Sequence, residues 1–152
     1  PHDSVLGSKS EDGLTIGISP AQSLIEHIER YNSPTRGYDI IVYTGSGLMG
    51  REVENIQTCD AVVIVGGRSG TLGEFAIAYD QAKIIGVLEG TGGIADHIDE
   101  LLNVINKDTG AKVIGHSDPV KLVELLEKAY TDDVLPGYLE LVNNHETDGE
   151  LE

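Results

Sequence analysis

The sequence predicts an α/β fold, a doubly wound parallel sheet with helices on both faces, and three observations carry that prediction. Apolar runs without polar alternation, above all Val62-Val63-Ile64-Val65, fit strands buried on both faces. The segments between successive strand signals are long enough for a helical crossover, and none has the short turn of a hairpin. Three turns that leave the strands, after Tyr43, Val65 and Leu88, are rich in glycine, which places a ligand at the carboxyl edge of the sheet.

The elements follow in order. Residues 1–13 have loop or linker composition, with Val5 and Leu6 their only apolar side chains. Residues 14–18 read as a short strand, and Ser19-Pro20 supplies an N-cap and a proline at the first helical position. In the helix that follows, Leu24, Ile25, Ile28 and Tyr31 recur at helical spacing as the inward face, with Glu26, Glu29 and Arg30 outward, and Asn32-Ser33-Pro34 ends it. Residues 40–43 form the next strand. Thr44-Gly45-Ser46-Gly47 then leads into a helix over about 48–58, with Val53 and Ile56 inward and Arg51 in its first turn.

The strand 62–65 comes next, and its glycine-rich turn opens a helix whose core face is Phe75, Ala76, Ala78, Tyr79 and Ala82. A strand over 83–88 leads to Gly90-Thr91-Gly92-Gly93 and a helix bearing Ile94, Ile98, Leu101, Leu102 and Ile105. Asp108-Thr109-Gly110 is a turn and 111–114 the last strand. Asp118-Pro119 opens a helix with Val120, Val123, Leu126 and Tyr130 inward. No Lys or Arg follows Lys128, whereas seven acids lie from Asp132 onward, so 144–152 reads as an acidic, frayed tail behind a single domain over 1–143.

A chain of 152 residues that is 39% hydrophobic has the size of one domain with a real core. Its formal charge of −16 repels a nucleic-acid backbone and an anionic membrane surface, yet leaves room for a small nucleotide held by local N–H groups and one or two arginines. The single Cys59 excludes an intrachain disulfide and, just before a strand, reads as a buried small hydrophobe. No membrane-length apolar run and no signal-peptide layout is seen, which makes a cytoplasmic protein the expectation. His27, His97, His116 and His145 show no metal-ligand spacing and read as surface residues, as do Asp96 and Asp99 near a helix N-terminus.

The stretch Val65-Gly66-Gly67-Arg68-Ser69-Gly70-Thr71 carries the strongest functional signal. Gly66, Gly67 and Gly70 permit positive φ and close backbone approach, and the following helix offers unpaired N–H groups and a positive dipole end to a phosphate. Arg68 brings a planar fork suited to two oxygens. The bland reading of Thr71-Leu72-Gly73-Glu74 is a capping box, in which the Thr71 hydroxyl and the Glu74 carboxylate satisfy backbone N–H groups.

At these residues the chain resembles the LOG ("Lonely Guy") family and its Rossmann-like, SLOG-type nucleotide-binding relatives, long labelled "possible lysine decarboxylase" and associated with phosphoribohydrolase activity on cytokinin nucleotides. Gly66-Gly67-Arg68-Ser69-Gly70-Thr71-Leu72-Gly73-Glu74 resembles the family's PGGxGTxxE motif. Met49-Gly50-Arg51-Glu52, leading to Cys59-Asp60-Ala61, resembles its arginine segment, and Gly13 to Pro20 the strand before that segment. The resemblance implies catalytic roles for Arg51 and Glu74, and phosphate binding by Gly66, Gly67, Arg68, Ser69, Gly70 and Thr71. Val65 stands where the family has proline, and Gly73 replaces the first of two acids. The family's opening strands would lie upstream of Gly13, so the expectation is an N-terminally truncated chain that pairs as a homodimer to cover an exposed sheet edge.

Three functions stand open at this point. In the first, a nucleoside 5′-monophosphate loses its base by N-glycosidic hydrolysis: Glu74 stabilises the developing ribose cation or orients water and Arg51 holds base or phosphate, with no metal or organic cofactor. In the second, a carrier or sensor binds the nucleotide at the same turn without turnover. The third, pyridoxal-dependent decarboxylation, needs a pocket lysine for a Schiff base, and the lysines from Lys83 onward lie away from the strand carboxyl ends, which discounts it.

Overall fold

The computed structural model describes His2–Glu146; the last six residues of the expected acidic tail lie outside the described residues. The chain falls into two compact units, Pro1–Asn55 and Ile56–Glu152.

In the first unit, helix α1 (His2–Ser10) precedes β1 (Ile16–Ser19), α2 (Leu24–Glu29), β2 (Ile40–Tyr43) and α3 (Gly47–Gln57), which runs across the unit boundary. β1 and β2 pair in parallel, from Ile16 opposite Ile40 to Ser19 opposite Tyr43. Helix α1 stands where the composition predicts a linker. Polar contacts tether it: the Lys9 ammonium donates to the Gly13 carbonyl at 3.0 Å and to Asp39 at 2.9 Å. Asp39 in turn accepts from the Thr15 N–H at 2.7 Å and the Thr15 hydroxyl at 2.9 Å. A helix held this way leaves little hydrophobic periodicity to read.

Helix α2 also departs from expectation. Its N-cap is Ser23, whose side chain accepts from the Glu26 N–H at 3.3 Å, while the Glu26 carboxylate reaches back to the Gln22 N–H at 2.7 Å. This Ser-x-x-Glu arrangement displaces Ser19-Pro20 as the helix start, and Ser19 ends β1 instead. The helix is also turned about its axis relative to the expected face. His27 is its buried residue, whereas Leu24, Ile25 and Ile28 are 49%, 67% and 48% exposed.

The second unit contains β3 (Ala61–Val65), α4 (Ser69–Asp80), β4 (Ile84–Leu88), a 3-10 turn (Gly93–His97) running into α5 (Ile98–Ile105), β5 (Lys112–His116), α6 (Pro119–Ala129), a π-helical turn (Tyr130–Val134) and α7 (Leu135–Glu146). The sheet order is β3-β4-β5, all parallel. The central strand β4 serves both faces by simple alternation. Ile85 and Val87 join Ile64 of β3, Phe75 and Ala78 of α4 and Ile98 of α5 in one core. Ile84, with Leu88 packed beside it, meets Leu122, Leu126 and Ala129 of α6 in another. Gly86 sits between them on the α6 face, where an added Cβ would stand 2.6 Å from Leu126 Cδ1. With helices on both faces of a parallel sheet, the architecture is Rossmann-like. The strands are hydrogen-bonded as a two-stranded and a three-stranded sheet; crossover lengths reveal parallelism, not which strands are neighbours.

Asp118 caps α6 as the sequence predicts, accepting from the N–H groups of Val120 at 2.8 Å and Lys121 at 3.2 Å. The inward face is Leu122, Leu126 and Ala129, however, and Val120 and Val123 are exposed. On α4, Phe75 and Ala78 are buried as expected, whereas Ala76 is exposed and Ala82 lies past the helix end at φ +55°. Helix α7 was not foreseen, and it includes residues 144–146. No helix among the described residues is long and apolar enough to cross a membrane.

The Lys9 and Thr15 contacts hold the Asp39 carboxyl down to about 2. A depressed carboxylate stabilises the fold above the unfolded value near 4 and loses that contribution as pH falls through 2. Asp39→Asn is therefore expected to lower the melting temperature at pH 7, with the difference from wild type shrinking as melts are taken from pH 5 to pH 2.

Candidate functional site

The glycine-rich turn after β3 is fastened to the turn after β4. Gly66 and Gly67 adopt φ of +58° and +101°, a region that favours glycine. Their carbonyls accept from the N–H groups of Ala95 at 2.9 Å and Ile94 at 3.1 Å. The Gly66 N–H donates to the Thr91 hydroxyl at 2.8 Å, and that hydroxyl donates to the Leu88 carbonyl at 2.6 Å. An added Cβ on Gly93 would stand 2.2 Å from the Gly67 oxygen, so the two backbones approach as closely as only glycine allows. Asp96 braces the second turn by accepting from the Gly90 N–H at 2.8 Å and the Gly92 N–H at 2.9 Å. It is exposed, as expected, but its carboxylate is a structural acceptor.

Helix α4 begins at Ser69, with Arg68 as an extended N-cap (φ −131°, ψ −151°) that makes no side-chain cap bond. Thr71 is thus the third helical residue and Glu74 the sixth, too far along for the capping box that their spacing suggests. The N–H groups of Ser69, Gly70 and Thr71 belong to the first turn, which has no intrahelical acceptors. They meet the positive dipole end beside the exposed Arg68 and Ser69. The structure therefore gathers Gly66, Gly67, Arg68, Ser69, Gly70 and Thr71 into one turn, with half-buried Glu74 one helical turn beyond.

Arg51 belongs to the first unit, where it is half-buried on α3 and lines a pocket with Asn55, Ser19 and His27. His27 is not a surface residue: it is 6% exposed, with Nδ1 at 2.8 Å from the Ser19 hydroxyl and Nε2 at 3.2 Å from the Pro34 carbonyl. His97 is exposed beside Glu100, and His116 accepts the Asp118 N–H. Cys59 is half-buried, and burial pushes its thiol up, away from nucleophilic use. The second unit has a cleft of about 330 Å³ at the ends of β4 and β5, whose charged lining is Glu89, Asp96 and Asp99. Among the described residues no group of three His, Cys, Asp or Glu could hold a metal ion.

Sequence reasoning missed Thr91 and Asp96 as partners of the site. Their signal was present as a threonine inside Gly90-Thr91-Gly92-Gly93 and an acid just beyond it. Gly93→Ala is expected to force the two turns apart and lower the melting temperature, whereas Gly90→Ala, with open space around the position but φ of +77°, costs less. Melting curves of the two variants check the order.

Comparisons with known proteins bear on the family and the fold. The model of the SLOG cluster4 family matches residues 1–123. The X-ray structure of TM1055, a structural-genomics target, superposes with a TM-score of 0.69 at 24% identity, over 82% of this chain and 69% of that one. The structure of the molybdenum cofactor binding protein from the phototrophic bacterium Rippkaea orientalis superposes with a TM-score of 0.60 at 27% identity, over 82% of this chain and 67% of that one. No curated protein matches the chain.

Proposed function

Because the chain belongs to the SLOG cluster4 family, whose model spans residues 1–123, we propose that it binds a small phosphate monoester of the nucleotide class at the Gly66–Thr71 turn, as a carrier or sensor. The observation that carries this reading is the uncapped start of α4 at a turn fastened on its far side to the Gly90–Gly93 loop. Phosphate oxygens would take the first-turn N–H groups, and the Arg68 fork would close over them. The similarity to a molybdenum cofactor binding protein supports the binding of a small molecule.

The hydrolytic reading rests on the family resemblance and on Glu74. Loss of the base from a nucleoside 5′-monophosphate builds positive charge on the ribose, which a carboxylate beside the sugar stabilises. In thermal melts, AMP is expected to raise the melting temperature and adenosine to leave it unchanged; equal shifts overturn the phosphate assignment. Release of adenine from AMP in single turnovers, slowed by about 10² to 10³ in Glu74→Gln, would make the protein a phosphoribohydrolase. AMP binding without release of adenine leaves the carrier or sensor.

Association with a second copy belongs to the same proposal. Leu24, Ile25 and Ile28 of α2, with Leu48 and Met49 of α3, leave large apolar side chains in water, which favours their burial against a partner. Light scattering over a wide concentration range is expected to give twice the chain mass; the mass of one chain throughout would overturn this.

A further inference from the structure

Helix α7 carries an apolar stripe that the described residues leave open to water. Leu135, Tyr138, Leu139 and Val142 recur at i, i+3, i+4 and i+7, which sets them along one face of the helix. A helix of a packed domain turns such a face inward, yet Tyr138, Leu139 and Val142 are 45%, 53% and 51% exposed, and every residue from Pro136 to His145 is exposed. The main packing of α7 is against the π-helical turn that leads into it. The Tyr138 hydroxyl adds one tie, donating to Asp60 just before β3 at 2.5 Å, which fixes the ring at the start of the stripe.

The charge of this part of the chain has one sign. Lys128 is the last Lys or Arg of the sequence, and seven acids follow it. Lys128 and Lys112 are spent on Asp132 and Asp133 in the turn before the helix. Glu140 on the helix is exposed, and Glu146, Asp148, Glu150 and Glu152 follow in the sequence with no cation among them. Two copies of α7 laid together would therefore bring like charges to the flanks of their seam, and an anionic lipid surface would be repelled in the same way. A helix with Lys or Arg beside a leucine stripe would bury the apolar face and answer the acids together.

We propose that α7 is a docking helix for a basic amphipathic helix of a partner protein. Leu135, Tyr138, Leu139 and Val142 form the seam, with the Tyr138 ring as its aromatic anchor, and the partner's cations meet Glu140 and the acids after it. The seam lies beyond residues 1–123 that the family model matches. It shares no residue with the Gly66–Thr71 turn and holds whether or not that turn binds a nucleotide.

The test is titration of the isotope-labelled full chain, followed by backbone-amide NMR, with a synthetic peptide of about 18 residues that carries leucine at i, i+3, i+4 and i+7 spacing and lysine on its flanks. One control peptide has the same composition with the leucine spacing broken, and a second has glutamate in place of lysine. The basic amphipathic peptide is expected to shift the amides of Tyr138, Leu139 and Val142 and to bind about tenfold or more tighter than either control. Leu139→Gln with Val142→Gln, a change at exposed positions to a good helix former, is expected to weaken that peptide by about tenfold or more. The control peptides on the unaltered chain keep the test decisive should the double variant fail to fold. Equal binding of either control, shifts confined to residues outside α7, or no shift at millimolar peptide would each overturn the proposal. So would a doubled chain mass in light scattering that the double variant returns to one, since a second copy would then cover the stripe.

Discussion

The candidate site of the second unit depends on a few hydrogen bonds that cross between two turns. The carbonyls of Gly66 and Gly67 are consumed by the N–H groups of Ala95 and Ile94, and the Gly66 N–H by Thr91. Positive φ at both glycines aims their carbonyls at the second turn, and Gly93 has no side chain to keep that turn away. With this side of the turn satisfied internally, the first-turn N–H groups of α4 are the ones that have no intrahelical acceptor. A parallel sheet makes the arrangement natural, because neighbouring strands deliver their following loops to the same edge.

The core beneath explains why that edge stays in place. Each of Ile84, Ile85, Gly86 and Val87 on β4 is buried, so successive side chains serve opposite faces with no polar interruption. Gly86 is where α6 comes closest, with Leu126 occupying the space a side chain would need. Phe75, fully buried and stacked on Tyr79 at 5.8 Å between ring centroids, ties α4 to the other face. Both loops of the candidate site therefore spring from strands packed into one core, with β4 held by a second on its other face.

The parts legible in the sequence are those written in apolar runs and glycine. Ala61–Val65 and Ile84–Leu88 announce themselves by continuous β-branched and aliphatic composition, and the turn after β3 by Gly66 and Gly67. The Asp118-Pro119 start of α6 was equally plain, because Asp before Pro has a specific capping geometry. The failures share a cause, which is that polar side chains make tertiary bonds that periodicity does not register. Lys9 and Asp39 hold α1, Ser23 and Glu26 outcompete Ser19-Pro20 for the start of α2, and Ser19 and the Pro34 carbonyl draw His27 inward. On α6 the apolar stripe is broad enough to include both Leu122 and Val123, and packing against β4 buries the first and leaves the second exposed.

Charge decides how an anion could be held here at all. The first unit carries 8 acidic and 4 basic residues and the second 18 and 6, so an approaching phosphate or carboxylate meets net repulsion from either. Most of the second unit's cations are already committed: Lys107 pairs with Asp80, Lys112 with Asp133, Lys121 with Glu124 and Lys128 with Asp132. Arg68, by contrast, stands in the turn after β3 as the N-cap of α4. At physiological ionic strength repulsion from distant carboxylates fades over about 8 Å, whereas a hydrogen bond from an N–H group acts at contact. An acidic chain can therefore keep a local anion seat if its donors are backbone dipoles and a planar guanidinium rather than a field of lysines. Asp96, beside the Gly90–Gly93 loop, is turned to structural use.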